Sequence, residues 1–279
     1  MKIQLLPSSF DSQGRATSEQ RLSCFLIDES VTVDAGSIAI ALNDAQRRSV
    51  RNIIVTHPHM DHIASLPIFV DDLFAELEEP VRVHATPEVI ALLERDVFND
   101  NVYVKFAELE NSHGRVMEYV PFQLGEKFQV AHLNVTAVAV NHIVPTVGLL
   151  VSDGKTTVAF SSDTAETDEF WKMVNRAPRL DALLIEANHC RDLLARGHYP
   201  RFLKQRVGGM QGHLNNHQAA TLVNELGWSN LQHLVLAHLS SKNNLPHLAR
   251  QCFVDTLGCD PDWLQVANQE HGLDWREIA

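Results

Sequence analysis

The sequence contains few cysteines, no long apolar run and no apolar leader. Its four cysteines, Cys24, Cys190, Cys252 and Cys259, include no CxxC pair and are too sparse for a disulfide framework. No segment approaches the roughly 18 consecutive apolar residues that a membrane-spanning helix needs. The first residues, MKIQLLPSSFDSQGR, hold too short an apolar run for a signal peptide. These absences predict a protein of the reducing cytoplasm that does not act in a membrane.

Basic residues are the minority among the charged ones. The chain has 23 Lys and Arg against 35 Asp and Glu, which gives a net charge of −12 at pH 7. Such an acidic chain is not suited to general electrostatic capture of nucleic acid, although a local basic patch could still hold a phosphate. With 45% hydrophobic residues, a chain of 279 residues can bury a substantial core. This composition excludes a disordered chain and a coiled-coil rod.

The hydrophobic pattern predicts strands that alternate with helices. The predicted strands are 21–27, 31–34, 52–56, 81–84, 128–140, 147–152, 156–160, 182–186 and 233–237. The predicted helices are 87–98, 164–175, 216–226 and 245–257. Internal repeats, low-complexity runs and a Pro/Ser-rich linker are absent from the sequence. Two groups of strands, each followed by helices, therefore predict one α/β sandwich domain over residues 1–279.

Histidine, in contrast, is abundant, with 15 residues. Three of them lie in the motif His57-Pro58-His59-Met60-Asp61-His62, which directly follows the predicted strand 52–56. Imidazole and carboxylate groups suit Zn²⁺, Mn²⁺ or Fe. The His-x-His-x-Asp-His spacing is too specific for a polar turn with chance histidines, so the motif predicts a metal site.

Further ligand-type residues follow other predicted strands. His142, Asp163 and His238 each lie just past the end of an apolar strand. In α/β folds, functional sites lie at such strand ends. These three residues are therefore candidates to complete a site that the first motif leaves incomplete.

The order of these motifs resembles that of the metallo-β-lactamase superfamily over nearly the whole chain. The resemblance implies a four-layer αββα sandwich with a dinuclear metal site, in which Zn is the expected metal and Mn or Fe are alternatives. It assigns His57, His59 and His142 to one metal and Asp61, His62 and His238 to the other, with Asp163 as the bridge. It also implies that Asp34 orients a histidine ligand from behind. The alternative for Asp34 is a turn aspartate before a glycine.

The segment Gly212-His213-Leu214 resembles a motif of phosphodiesterases and nucleases in the same superfamily. There the histidine contacts the scissile phosphate or assists the leaving group. His213 is therefore a candidate catalytic residue. Asp61, in the motif 57–62, is the other candidate. A predicted helix begins near Asn216, and a helix N-terminus attracts anions. The alternative for His213 is a loop residue next to a helix cap.

The window 189–206 has a local charge opposite to that of the chain. It contains five Lys and Arg residues and one Asp, which gives +4 within a chain of −12. A basic segment near a metal site favours a phosphate-bearing substrate. The alternative is a solvated or subunit-contacting helix face.

The substrate class remains open between branches of the superfamily. Residues 53–187 resemble class II cyclic-nucleotide phosphodiesterases, whereas motifs after residue 188 resemble bacterial DNA exonucleases. The leading expectation is a dinuclear phosphodiesterase acting on a small substrate, a 3′,5′-cyclic nucleotide. The first alternative is a metal-dependent nuclease, either a DNA or RNA exonuclease or a tRNA-processing type. A thioesterase or lactonase of the glyoxalase II type ranks third, and a homodimer is expected from the resemblance.

Overall fold

The chain forms two compact units in a computed structural model, which describes residues 1–17, 20–267 and 273–278. The first unit comprises Met1–His132 and the strand Leu273–Glu277. The second comprises 133–267 and Ile278. Both units combine a β-sheet with helices, which confirms the predicted α/β class. The single domain over 1–279 stays a prediction.

The sheet of the first unit has antiparallel strands on one side and parallel strands on the other. Its strands are β1 (Lys2–Leu5), β2 (Phe25–Ile27), β3 (Val31–Val33), β4 (Asn52–Ile54), β5 (Val81–Ala85), β8 (Met117–Pro121) and β16 (Leu273–Glu277). They lie in the order β16-β1-β2-β3-β4-β5-β8. The four strands β3, β4, β5 and β8 are parallel to one another. A hairpin of β6 (Glu110–Asn111) and β7 (Gly114–Arg115) precedes β8 in sequence.

The described residues of the first unit form five α-helices. They are α1 (Ile38–Ala41), α2 (Asp44–Ser49), α3 (Met60–Ile63), α4 (Leu66–Leu73) and α5 (Pro87–Asp96). The α5 helix begins as its sequence predicts, because Val89 N donates to the Thr86 hydroxyl at 3.4 Å and Pro87 occupies the first turn. Buried side chains such as Phe69 and Leu93 join strand residues in one core cluster.

The predicted strand 128–140 is two strands, β9 (Lys127–Val130) and β10 (Leu133–Ala139). The chain turns between them, where Ala131 has a left-handed φ of 50°. The remaining strands of the second unit are β11 (Val147–Ser152), β12 (Thr157–Phe160), β13 (Ala182–Glu186), β14 (His233–Ala237) and β15 (Leu264–Val266).

Five α-helices also lie within the part of the second unit that the structure describes. They are α6 (Asp168–Arg176), α7 (Arg191–Arg196), α8 (Arg201–Val207), α9 (Asn216–Leu226) and α10 (Pro246–Leu257). The α9 helix has the predicted bounds, because the Asn215 side chain caps its N-terminus and Gly227 ends it with a left-handed φ of 79°. The predicted helix 164–175 begins later, at Asp168, because the backbone of Thr167 before it is extended, with φ −149° and ψ 133°.

The strands β12, β13, β14 and β15 are parallel neighbours. Phe160 pairs with Leu184, and Glu186 pairs with Ala237, so the carboxyl ends of the first three strands meet at one edge of the sheet. This register brings the residues after β12 and β14 close to the last residue of β13. Among the described residues, no helix is long and apolar enough to cross a membrane.

Candidate metal-binding residues

The motif at residues 57–62 follows β4 and includes the start of α3, which begins at Met60. The imidazole of His57 lies 4.0 Å from that of His62 and 4.8 Å from that of His59, measured between ring centroids. His57 and His62 are buried, and His62 Nε2 lies 3.7 Å from a carboxylate oxygen of Asp61. The first unit thus brings the four predicted ligand side chains of this motif together.

Asp34 holds one of these histidines in place. Its Oδ2 lies 2.7 Å from His62 Nδ1, and its Oδ1 accepts hydrogen bonds from Thr56 N and Thr56 Oγ1 at 2.8 and 2.9 Å. An imidazole that donates its Nδ1–H to a carboxylate presents the Nε2 lone pair to a metal. Asp34 makes this contact from a backbone with a left-handed φ of 63°, and its role in orienting a metal ligand stays a prediction.

Replacing Asp34 by asparagine is expected to weaken metal binding by about 10–100-fold, because it removes the negative charge behind His62. The measurement is a zinc dissociation constant from competition with a chromogenic chelator. Asp44→Asn, on the exposed first turn of α2, is the matched control. Equal affinities for the Asp34 variant and the wild type would contradict this role.

Gly36 allows the close approach of two backbone segments beside this motif. A Cβ atom on Gly36 would lie 2.1 Å from the carbonyl oxygen of Asp61 and 2.8 Å from that of Ser23. Gly36→Ala is therefore expected to lower the free energy of unfolding by about 1–3 kcal/mol, measured by urea denaturation. Gly14→Ala, with open space around its Cβ and a φ of 73°, measures backbone strain alone. A free energy of unfolding equal to that of the wild type in Gly36→Ala would contradict the steric argument.

The second unit gathers carboxylates and histidines at the strand edge described above. The ligand-type atoms of Asp163, Glu186, His213 and His238 all lie within 4.8 Å of one another. His238 Nδ1 lies 3.1 Å from Asp163 Oδ1 and 3.0 Å from Glu186 Oε1. His238 directly follows β14 with a left-handed φ of 52°, a sparsely populated conformation that often marks functional sites.

Glu186 belongs to this cluster although no motif in the sequence predicts it. It is the last residue of β13 and is 1% exposed. His213 Nδ1 lies 2.6 Å from its Oε1, while Thr164 N and Leu214 N donate to its Oε2 at 2.9 and 3.3 Å. The only signal in the sequence was a carboxylate that ends an otherwise apolar strand, since a buried charge needs partners.

Electrostatics bind Glu186 and His213 into an ionic pair. Burial opposes the ionised form of Glu186, but the charge of His213 and hydrogen bonds from His213 and His238 outweigh it, so the pKa of Glu186 is lowered. Burial also opposes the charged form of His213, but Glu186 and Asp163 outweigh it and raise the pKa of His213. Each residue of this pair thus favours the charged form of the other.

His142 has the opposite electrostatic character. Burial and the nearby charge of His213 lower its pKa, although Asp163 and Glu186 act in the other direction. Its Nδ1 lies 3.0 Å from the carbonyl oxygen of Gly212, a contact that fixes the Nδ1–H tautomer. A neutral imidazole with this tautomer is the form that binds a metal through Nε2.

His189 is a second buried histidine in this region. It is 2% exposed, and burial lowers its pKa to about 4. The negative charge of Glu186 acts on it but does not offset its burial. His189 therefore stays neutral at pH 7, and Cys190, next to it, is a half-buried free thiol.

The beta-lactamase superfamily domain matches residues 25–239 of the chain. The chain belongs to this superfamily. The predicted metallo-β-lactamase fold is therefore confirmed, and the clustered histidines and carboxylates are of the residue types that bind divalent metals. The superfamily and these residue types together make the chain a metal-dependent hydrolase.

Two relatives are similar to this chain over most of its length. Exodeoxyribonuclease WalJ of Streptococcus pneumoniae is 24% identical over 253 residues, which are 90% of this chain and 85% of that protein. Exodeoxyribonuclease YycJ of Bacillus anthracis is 26% identical over 235 residues, which are 84% of this chain and 80% of that protein.

Solved structures share the fold of this superfamily member. The metallo-β-lactamase fold protein YhfI of Bacillus subtilis has a TM-score of 0.68 at 17% identity, with 97% of each chain covered. Unliganded yeast PDE1 has a TM-score of 0.66 at 14% identity, with 95% of this chain and 96% of that chain covered. At these identities the likeness shows the fold alone.

Proposed function

We propose that this protein is a metal-dependent exonuclease that hydrolyses phosphodiester bonds in DNA. The observation that carries the proposal is the similarity to two exodeoxyribonucleases along most of both chains. The similarity to yeast PDE1 is limited to the fold. It therefore supports a cyclic nucleotide as the substrate less than the similarity to the exodeoxyribonucleases supports DNA. A metal-dependent nuclease therefore replaces the cyclic-nucleotide phosphodiesterase as the function that we propose. The cytoplasmic location and the homodimer stay predictions.

We propose that the seven predicted ligands hold two divalent ions. These residues are His57, His59, Asp61, His62, His142, Asp163 and His238. The donor set is chemically suitable, since it consists of imidazole nitrogens and carboxylate oxygens. Asp34 behind His62 and the Gly212 carbonyl behind His142 are the outer contacts that such ligands require. Zinc is the expected ion, with manganese or iron as alternatives.

The bound ions would supply Lewis acidity that stabilises the negative charge on the phosphate. The chain itself supplies the proton that the leaving oxygen needs. When the His213 imidazole is protonated on both nitrogens, its Nδ1–H donates to Glu186 and its Nε2–H is available to a phosphate oxygen or to the leaving alkoxide. General acid catalysis of this kind contributes about 10²–10⁴-fold to the rate. Glu186 keeps the imidazole oriented and charged, which makes it a positioning residue.

The proposed function is tested with a single-stranded oligodeoxynucleotide that carries a label at its 5′ end. The metal-loaded protein is expected to release mononucleotides in steps, which denaturing gels resolve. Parallel reactions contain 3′,5′-cyclic AMP or a glutathione thioester, and chelator-treated protein is the blank. Turnover of cyclic AMP without turnover of the oligonucleotide would restore the small-substrate expectation. Turnover of the thioester alone would overturn both phosphodiester assignments.

A further inference from the structure

The surface formed by α7, α8 and their following residues carries an unusual concentration of positive charge. We call residues 191–211 the hairpin surface. Its exposed cationic side chains are Arg191, Arg196, Arg201 and Arg206, against one exposed carboxylate, Asp192. Lys204 Nζ donates to the carbonyl of Ala195 at 2.7 Å, which joins α8 to α7. In a chain of net charge −12, this surface is locally positive.

The arginines of the hairpin surface have no ionic partner within the described residues. Some arginines elsewhere are compensated: Arg47 pairs with Asp72 at 2.8 Å, and Arg95 pairs with Asp96 at 2.6 Å. Uncompensated arginines repel one another and leave a positive potential at the surface. A polyanion would relieve that repulsion and release its own counterions on binding.

Apolar side chains are exposed between these charges. Phe202 is 71% exposed and Met210 is 90% exposed, the highest values among the large apolar side chains that the structure describes. The α8 helix, which carries Phe202, has no buried residue. A seven-residue helix without a buried face gains little stability from the core of its own chain. An exposed aromatic ring among cations is instead suited to stack on an unpaired base.

The hairpin surface is connected to the candidate catalytic histidine through the backbone. His213 N donates to the carbonyl oxygen of Val207, the last residue of α8, at 2.9 Å. Gly212 lies so close that a Cβ atom there would be 2.2 Å from the same oxygen. The end of α8 is therefore fixed next to His213. A nucleic-acid strand lying along α8 would reach His213 within a few nucleotides.

We propose that the hairpin surface binds single-stranded nucleic acid, with Phe202 stacked on a base and the arginines on the phosphates. This proposal rests on the proposed exonuclease function and names the surface that delivers the strand to His213. A duplex hides the faces of its bases, so the stacking contact selects unpaired strands. The charge and the aromatic ring together favour a polynucleotide over a cyclic nucleotide, which is too small to contact the length of α8.

The test measures binding of a labelled phosphorothioate oligodeoxythymidylate, which resists hydrolysis, to the metal-loaded protein by fluorescence anisotropy. Phe202→Ala is expected to weaken binding by about 5- to 150-fold, the equivalent of one lost base stack. Phe202→Tyr keeps the ring and is expected to bind as the wild type does. A duplex of the same length is expected to bind more weakly than the single strand.

Charge is tested separately through the salt dependence of binding. Arg201→Ala combined with Arg206→Ala is expected to reduce the slope of log K against log[salt] by about 1.4, since each single-strand phosphate contact contributes about 0.7. Arg48→Ala combined with Arg115→Ala removes the same charge from exposed positions elsewhere and is expected to leave the slope unchanged. Thermal melting of every variant shows that it is folded.

The outcomes separate this proposal from the proposed function. Equal slopes in the two arginine pairs, or wild-type affinity in Phe202→Ala, would overturn the hairpin surface as the binding site. Hydrolysis of bis(4-nitrophenyl) phosphate by the wild-type protein tests the chemistry alone, since this small ester cannot span the surface. Failure of that hydrolysis would count against the proposed function, whereas the binding comparison would still decide the role of the hairpin surface.

Discussion

Replacing Asp163 by alanine is expected to lower the rate of oligonucleotide hydrolysis by about 10⁴-fold or more. Asp163 is the proposed bridge between the two ions, so its loss affects both at once. It is also 2% exposed, and its Oδ1 lies 3.1 Å from His238 Nδ1, so the variant removes one of the two carboxylates that contact this histidine. The measurements are single-turnover rates and the metal content per chain by mass spectrometry.

The control for this variant is Asp262→Ala, which removes a carboxylate from an exposed position of the same unit. It is expected to keep both activity and metal content. Asp163→Ala should lose both together, because a bridging carboxylate contributes to two coordination spheres. Wild-type turnover or a full metal complement in Asp163→Ala would refute the ligand assignment.

The second large effect is expected from the pair of Glu186 and His213. Glu186→Gln keeps the shape of the side chain but removes the buried charge that faces His213 at 2.6 Å. The rate is expected to fall by about 10²–10⁴-fold, as it should for His213→Ala, because both changes remove the same proton donor. The two residues act as one unit, so the double variant should be little slower than either single variant.

A double-mutant cycle on the hydrolysis rate measures this coupling. Glu225→Gln, on the exposed face of α9, is the matched control for the amide substitution and should keep wild-type rates. Losses that add across Glu186→Gln and His213→Ala would show that the two residues act independently. In that case Glu186 would not be the group that positions His213.

Much of the site was predictable because its signals are local in sequence. The motif from His57 to His62 concentrates ligand-type residues in one turn, and the short spacing alone forces their side chains together. The strands before Asp163 and His238 were recognisable as apolar runs, so both residues could be placed at strand ends. The cap of α9 at Asn215 likewise depends on neighbours three residues apart.

Other features depend on contacts between residues that are distant in sequence. The role of Glu186 follows from the register of β13 between β12 and β14, which places its carboxylate beside His213 and His238. Before α6, Thr164 N likewise donates to Glu186, a residue that is distant in sequence. Local propensity contains no information on either contact.

The sequence determined the residue chemistry of this protein and the order of its strands and helices, because ligand spacing, apolar runs and caps act within a few residues. Tertiary structure decided which of those residues act together. Glu186 became a partner of two histidines through strand pairing, and α8 came to lie against His213 through a backbone hydrogen bond to Val207. Both outcomes depend on long-range packing, in which the positions of several strands and helices are fixed at once.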